Sequence, residues 1–297
     1  MESKRPKHSN LQSFLTRTMP SVPAYSLQKM EYFTLGDLWS QYAEWSAYGV
    51  GVPIIHDNHE KVIQYYVPYL SAIQIYTSKH IPCLRILLEE SENESFSDDN
   101  ESDKVSKSSD ALSEDSDISQ ESSLPTDEIP WQLYLHYIEY ESPYRRIPLA
   151  DKVNELAERF PGLMSFKSIE MSPSSWMSIA WYPIYQIPEC RNVKDLSACF
   201  LTYYAISTSI PDIVVPRENA KDFSFAMSKT SRWEHNKAKT PIILSPFGLS
   251  TFKMQGSLWR NPETSDSETI ESLNIAAQSW LKRLSVDHHD FNFFTAH

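Results

Sequence analysis

Two short runs of this sequence bring together side chains able to ligate a metal or move a proton. His56 and His59 lie three positions apart beside Asp57 and Glu60, while His288, His289 and Asp290 are consecutive. A zinc site needs three or four such ligands converging at set spacings, and neither run has a partner cluster placed to complete one. Consecutive residues also point in different directions on a regular element, which weakens the second run further. These groups therefore read as solvated loop histidines, and no metal is expected. The run Gly248-Leu249-Ser250-Thr251-Phe252 is half of a nucleophile elbow, but Phe252 stands where a second glycine must leave room for a sharp strand-to-helix turn. Ser250 reads as a loop serine, and no catalytic residue is expected.

The remaining signatures are equally restrictive. There are six glycines; Gly49 and Gly51 have no third at the spacing of a dinucleotide-binding turn, and no Gly-Lys-Ser/Thr occurs. No nucleotide site and no other cofactor is expected. Cys83, Cys190 and Cys199 form an odd set without Cys-x-x-Cys, so they read as small buried hydrophobes in a reducing compartment.

The chain has 297 residues and a net charge of -12. Nearly all of that charge sits in one place: residues 89–128 hold 15 acids and 2 lysines, a net of -13, which leaves +1 for everything else. A near-neutral remainder gives no electrostatic basis for nucleic-acid steering or a basic membrane-facing surface. The mixture of Arg217, Lys221, Lys229, Arg232, Lys237 and Lys239 with Phe223, Phe225 and Trp233 is diluted by Glu218, Asp222 and Glu234, and nucleic-acid binding is not expected. No run approaches the roughly 20 apolar residues of a membrane span. The polar start lacks the apolar core of a signal peptide, and Lys4-Arg5-Pro6-Lys7 resembles a short nuclear import signal, so the expected location is cytoplasmic or nuclear.

Periodicity supplies the elements that must position any site. Residues 174–188 carry the densest run of aromatic and β-branched side chains, including Trp176, Ile179, Trp181 and Tyr182, which suits a covered strand. Pro183 predicts a bend there, or an edge position. Residues 196–207 read as an antiparallel partner, with Phe200, Thr202 and Tyr204 on one face and Cys199, Leu201 and Tyr203 on the other. Residues 62–76 and 131–140 read as further strands, and 83–88 as a short one. Thr34 with Asp37 opens a helix that Gly49 closes, and helical spacing recurs over 148–160 and 267–284. Gly51 and Pro53 mark a loop, residues 242–244 and 251–254 two short strands, and 291–294 a run that pairs or tucks under the last helix.

The expected fold class is α+β: a single domain with a mainly antiparallel sheet, about three flanking helices and a disordered acidic insertion. Residues 1–28 read as a flexible N-terminal arm, although Leu11, Phe14 and Leu15 could form a docking turn. Residues 29–88 and 130–297 form the domain, and 89–129 are too poor in apolar side chains to offset chain entropy. Within that acidic segment Ser91 is followed at the third position by Glu94, and Ser95 by Asp98, the pattern read by acid-directed serine kinases.

The strings YFTLGDLW (residues 32–39), EWSAYGVGVP (44–53), QYYVPYLSAIQ (64–74), SPSSWMSIAWYPIY (172–185) and ACFLTY (198–203) together resemble the plant protein family known as domain of unknown function 789. Phe96-Ser97-Asp98-Asp99 is similar to the serine- and aspartate-rich insertion that family tends to carry. Gln186 stands where the resemblance implies arginine, and residues 189–192 where it implies a glycine-bearing turn. The resemblance implies a single intracellular plant domain and no particular chemistry. Two functional readings follow from the residues. One is a non-catalytic protein-interaction module with a phosphorylatable acidic loop and a protein partner. The other is an enzyme or small-ligand binder with an aromatic pocket lined by Trp39, Trp45, Tyr65, Tyr69, Trp176 and Tyr182, since tyrosine and tryptophan join an apolar body to a polar handle.

Overall fold

A computed structural model describes residues 9–27, 30–56, 61–77, 131–184, 197–208, 240–254, 257–261 and 263–296. In chain order these form α1 (Asn10–Arg17), β1 (Ser21–Val22), β2 (Tyr25–Leu27), β3 (Met30–Tyr32), α2 (Leu35–Tyr48), β4 (Val50–Ile55) and β5 (Lys61–Thr77). After the acidic segment come β6 (Gln132–Ile138), a 3-10 turn (Pro143–Arg145), α3 (Leu149–Arg159), α4 (Gly162–Ser165) and a second 3-10 turn (Ser168–Glu170). The remainder is β7 (Trp176–Pro183), β8 (Cys199–Ala205), β9 (Ile242–Ile243), β10 (Gly248–Phe252), α5 (Asp266–Arg283) and α6 (His289–Ala296). The class is α+β, with six α-helices among the described residues against the three that periodicity alone suggests.

Six strands form one antiparallel sheet in the order β10-β8-β7-β5-β4, with β6 also on β5. Strand β5 runs 17 residues because it serves two sets of neighbours. Its register with β7 covers Tyr66 to Gln74, while β4 matches Lys61 to Tyr66 and β6 matches Ala72 to Thr77. Pro68 therefore falls in the stretch that neither β4 nor β6 occupies, where a missing N–H breaks no ladder. Register with β7 steps from Leu70–Ile179 to Ala72–Ser178, so Ser71 is the extra residue of a bulge. The chain leaves the sheet at Thr77 and re-enters at its partner Gln132, so the acidic segment joins two paired strand ends.

The irregularity expected at Pro183 is thus in the neighbouring strand. β7 is unbroken and interior, lying between β5 and β8, and Pro183 is its last residue, opposite Tyr66. Residues Trp176 to Trp181 are buried without alternation because both faces of the sheet are covered. On one face Trp181 and Phe200 meet α1 and α2: Phe14 stacks on Phe200 at 4.0 Å, and Tyr42 and Trp45 lie 6.3 and 6.0 Å from Trp181. On the other, Trp176, Ala180, Cys199, Leu201 and Tyr203 pack against Ala277, Trp280, Leu281, Phe291 and Phe294 of α5 and α6. The expected split of β8 into two faces is what divides these cores.

Three local readings change. Leu11, Phe14 and Leu15 belong to helix α1, which is part of the core rather than of an arm, with Leu11 and Phe14 fully buried. A capping box between Ser9 and Gln12 starts it. Burying Phe14 alone is worth roughly 1.5–3 kcal/mol, one part of the packing that orders a two-turn helix whose propensity is modest. The expected loop at Gly51 and Pro53 is strand β4. It is an edge strand, where proline is tolerated, and Asn10 closes it by accepting the Ile55 N–H at 2.8 Å and donating to the Ile55 carbonyl at 2.9 Å. Residues 291–294 lie within helix α6. By contrast α2 starts and stops as its sequence directs: the Thr34 hydroxyl accepts the Asp37 N–H at 3.2 Å, and Gly49 takes a φ of 76°. The strand expected at 83–88, the acidic segment 89–129, the basic-aromatic mixture at 217–239, and Cys83 and Cys190 lie outside the described residues.

Candidate functional site

The bulge at Ser71 aims a hydroxyl into the layer between the sheet and the C-terminal helices, where sequence-distant polar groups gather. The turn between α5 and α6 brings His288, the first turn of α6 brings Asp290, β8 brings Tyr203, and Arg146 follows the Pro143–Arg145 turn. All five are buried. Ser71 Oγ lies 2.9 Å from His288 Nε2 and 2.5 Å from Asp290 Oδ2, and His288 Nδ1 lies 2.8 Å from the Tyr203 hydroxyl. Arg146 donates both terminal nitrogens to Asp290, at 2.6 and 2.7 Å, and its Nε–H to the Glu141 carbonyl at 2.7 Å. Behind that loop Glu139 accepts the Glu141 N–H at 2.9 Å and the Tyr137 O–H at 2.7 Å. The cluster therefore pins loop 139–147 to helix α6 through an interior ion pair.

Counting protons settles how the cluster is wired. An ionised carboxylate only accepts, so Ser71 donates its single proton to Asp290. Ser71 Oγ must then accept from His288, which places the imidazole proton on Nε2 and leaves Nδ1 to accept the Tyr203 O–H. Burial pushes the His288 pKa down to about 4, against an opposing pull from Asp290, so the ring is neutral at pH 7. Burial alone would raise Asp290, but the hydrogen bonds and charge of Arg146, aided by Ser71, hold its carboxyl below the ordinary value.

A serine, a histidine and an aspartate in mutual contact suggest nucleophilic catalysis, and the geometry argues against it. In a nucleophilic triad the histidine presents a bare nitrogen to the serine hydroxyl and gives its other N–H to the carboxylate. Here the nitrogen facing Ser71 carries the proton, the other faces Tyr203, and the serine proton is already committed to Asp290. Ser71 is also fully buried. The arrangement orients chain segments; it does not prepare a nucleophile.

The six aromatic residues expected to line one pocket are divided by the sheet. Trp39 is buried on the α2 side and donates its indole N–H to the Leu163 carbonyl at 2.6 Å, and Trp45 packs near Trp181 on that same side. On the opposite side Trp176 is fully buried, bonded to Gln74 at 2.8 Å and stacked on Tyr203 at 5.8 Å. Tyr69 and Tyr182 make an edge contact at 5.8 Å, with the Arg146 guanidinium 5.9 Å from the Tyr182 ring. The structure thus gathers Tyr69, Trp176 and Tyr182 around the polar cluster, leaves Trp39 and Trp45 across the sheet, and leaves Tyr65 exposed. Ser91 and Ser95 lie outside the described residues.

Two site readings are corrected. His288 and Asp290 are interior groups and not a solvated loop, because α6 folds back under the sheet; Ser250 is buried in β10 and not in a loop. Among the described residues no group of three or more His, Cys, Asp and Glu is placed to hold a metal ion. Cys199 is buried, and burial pushes its thiol up to about 12. Ser71, Arg146 and Tyr203 carried no sequence signal of their own beyond Ser71 being the one serine in the run from Val67 to Ile73.

Removing one partner of a buried ion pair leaves the other uncompensated, so Asp290→Ala should cost about 3–5 kcal/mol. The double variant Arg146→Met/Asp290→Leu should cost far less; chemical denaturation of both variants would refute the interior lock if their losses were equal. The His288 titration sets a pH dependence. Its folded pKa of about 4 lies below the ordinary 6.5, so between those values the unfolded chain binds a proton the folded chain refuses. Stability is then full above about pH 6.5 and falls as pH drops toward 4, by a total on the order of 3 kcal/mol. Urea melts across that range should show a shallower slope for His288→Gln than for the native chain; parallel slopes would contradict the assignment.

No curated protein and no solved structure matches this chain. The family described as "Protein of unknown function (DUF789)" matches residues 9–294, a span that takes in both cores, the bulge at Ser71 and all five members of the buried cluster. The chain belongs to that family.

Proposed function

We propose that this chain is a non-catalytic protein-interaction module that docks a partner on the open face of the β4–β5 ribbon. The observation that carries the reading is one sheet face whose apolar side chains are partly exposed. Register puts Gly51 opposite Tyr65, Pro53 opposite Ile63 and Ile55 opposite Lys61, all on one side of the ribbon. On the reverse side Val50, Val52, Ile54, Gln64 and Tyr66 are buried. On the open side Ile55 and Ile63 are each 49% exposed, Tyr65 38%, and Ile184 at the end of β7 40%.

Ile63, Tyr65 and Ile184 adjoin one another. A β-carbon placed on Gly51 would lie 3.1 Å from Ile63 and 3.4 Å from the Tyr65 ring, and one on Gly49 3.2 Å from Ile184. The two glycines thus form a floor across which Ile63, Tyr65 and Ile184 meet, with Ile55 further along the same side of β4. Contiguous exposed apolar surface marks interaction sites, whereas isolated exposed residues do not. Tyrosine is also among the types that anchor interfaces. The edge of β4 is capped by Asn10 and interrupted by Pro53, so a partner meets side chains on the face and not a free ladder.

The acidic segment 89–129 adds a second feature to this reading, a loop that takes phosphate at Ser91 and Ser95. A small-ligand site lined by the six aromatic residues draws no support from the geometry, because the sheet separates Trp39 and Trp45 from Trp176 and Tyr182.

The docking face is tested by Ile63→Asp/Tyr65→Asp, two exposed positions whose replacement should leave the melting temperature unchanged. Partners recovered from the cells that express this chain, then titrated as purified proteins, should bind the variant at least roughly 30-fold more weakly, the worth of one interface anchor. Equal binding by both forms, or no partner for either, would remove the proposal. Separately, an acid-directed serine kinase should add phosphoryl groups that Ser91→Ala/Ser95→Ala lacks; an unchanged phosphorylation pattern in that variant would remove the loop sites.

A further inference from the structure

Four serine or threonine residues precede a proline in this chain: Ser142, Ser172, Thr240 and Ser245. We propose that Ser142 is a phosphorylation site for a proline-directed serine kinase. Such an enzyme requires a free hydroxyl on extended backbone, a proline at the next position, and gains from a basic side chain at the third. Only Ser142 is followed there by a base, in the run Ser142-Pro143-Tyr144-Arg145.

The structure presents these groups in the form the reaction needs. Ser142 is exposed and sits at φ -62°, ψ 151°, the extended conformation that a following proline favours. Its side chain makes no capping bond to the turn that follows. Tyr144 is 100% exposed and Arg145 is exposed beside it. A single backbone bond, Arg145 N–H to the Ser142 carbonyl at 2.9 Å, closes the 3-10 turn, so one local opening lets residues 143–145 extend into a kinase groove. The loop stays fixed on either side while this happens, because Glu139 holds Glu141 and Asp290 holds Arg146.

The other three candidates fail on one count or more. Ser172 is buried and its hydroxyl accepts the Ser174 N–H at 3.2 Å. The Ser245 hydroxyl lies against the Met19 sulfur at 3.6 Å, with Gly248 at the third position, and Thr240 has Ile243 there.

In the reaction Ser142 Oγ attacks the γ-phosphorus of a nucleoside triphosphate. The new O–P bond forms as the bond to the β-phosphate oxygen breaks, the diphosphate leaves, and the hydroxyl proton passes to the kinase's base. The product carries roughly -1.5 to -2 charges. It lies within reach of Arg145 and repels Glu141, but the Arg146 fork is already filled by Asp290, so the mark changes the loop surface without opening the buried lock.

The test incubates the folded full chain with a purified proline-directed serine kinase, magnesium and ATP, and reads intact mass and the modified position by peptide mapping. One phosphoryl group at Ser142 is expected, absent from Ser142→Ala and Pro143→Ala, with both variants matching the native circular dichroism. Arg145→Ala should slow the reaction about tenfold, the worth of one charge-assisted contact. A phosphoryl group mapped to Thr240 or Ser245 with Ser142 unmodified would overturn the proposal. So would a folded chain that resists while a heat-unfolded one is labelled at Ser142.

Discussion

A strand buried on both faces has to be covered twice, and this requirement shapes the whole fold. Residues Trp176 to Trp181 of β7 present large side chains alternately to either side. The chain meets that demand with material from its two ends: α1 and α2 on one side, α5 and α6 on the other. An antiparallel sheet commonly leaves one face to water, and the reason this one does not lies in the even distribution of aromatic residues over both faces of β7 and β8. Among the described residues, covering is complete over β7 and β8 and stops short at the corner of β4 and β5. There the inner face is closed by α1, while Ile55, Ile63 and Tyr65 on the outer face are 38–49% exposed.

Covering the second face raises a polar problem that the buried cluster solves. The turn into α6 brings a carboxylate and an imidazole beneath the sheet, and a carboxylate there is affordable only with a matched partner. Arg146 supplies it with a planar fork that makes two bonds to the carboxylate and a third to the Glu141 carbonyl. Since buried ion pairs contribute little net stability, the return is geometric: one register between α6, the bulge at Ser71 and the loop that follows β6. That loop then holds Ser142, Tyr144 and Arg145 outward on a rigid base.

Much of this architecture is legible in the sequence, and the unread parts share a cause. Strands β5, β7 and β8 and helices α2, α3 and α5 announce themselves through periodicity and caps long enough to average over exceptions. Helix α1 does not, because eight residues give a single apolar stripe, and only the waiting groove beside Phe200 and Tyr66 makes it worth forming. Strand β4 was hidden by Gly51 and Pro53, residues that mark loops except at a strand edge, and the edge position is a tertiary fact. His288 and Asp290 stood out as chemistry but read as solvated, because the residues that bury and bond them lie up to 219 positions away. Spacing cannot register a partner at that distance.

The same long-range partners decide what the cluster does. Moving the His288 proton to Nδ1 would turn a bare Nε2 toward Ser71 and ask the Tyr203 hydroxyl to accept in place of donating. Ser71 has one proton, so it would either give up its bond to Asp290 or leave the bare Nε2 without a donor in a site closed to water. The assigned wiring is the one in which each of the three hydroxyl and imidazole protons finds an acceptor and the carboxylate receives donors at both oxygens. Residue identity alone would allow a nucleophile here; the direction of the protons, fixed by Tyr203 at one end and Arg146 at the other, assigns the same residues to holding the C-terminal helix in place.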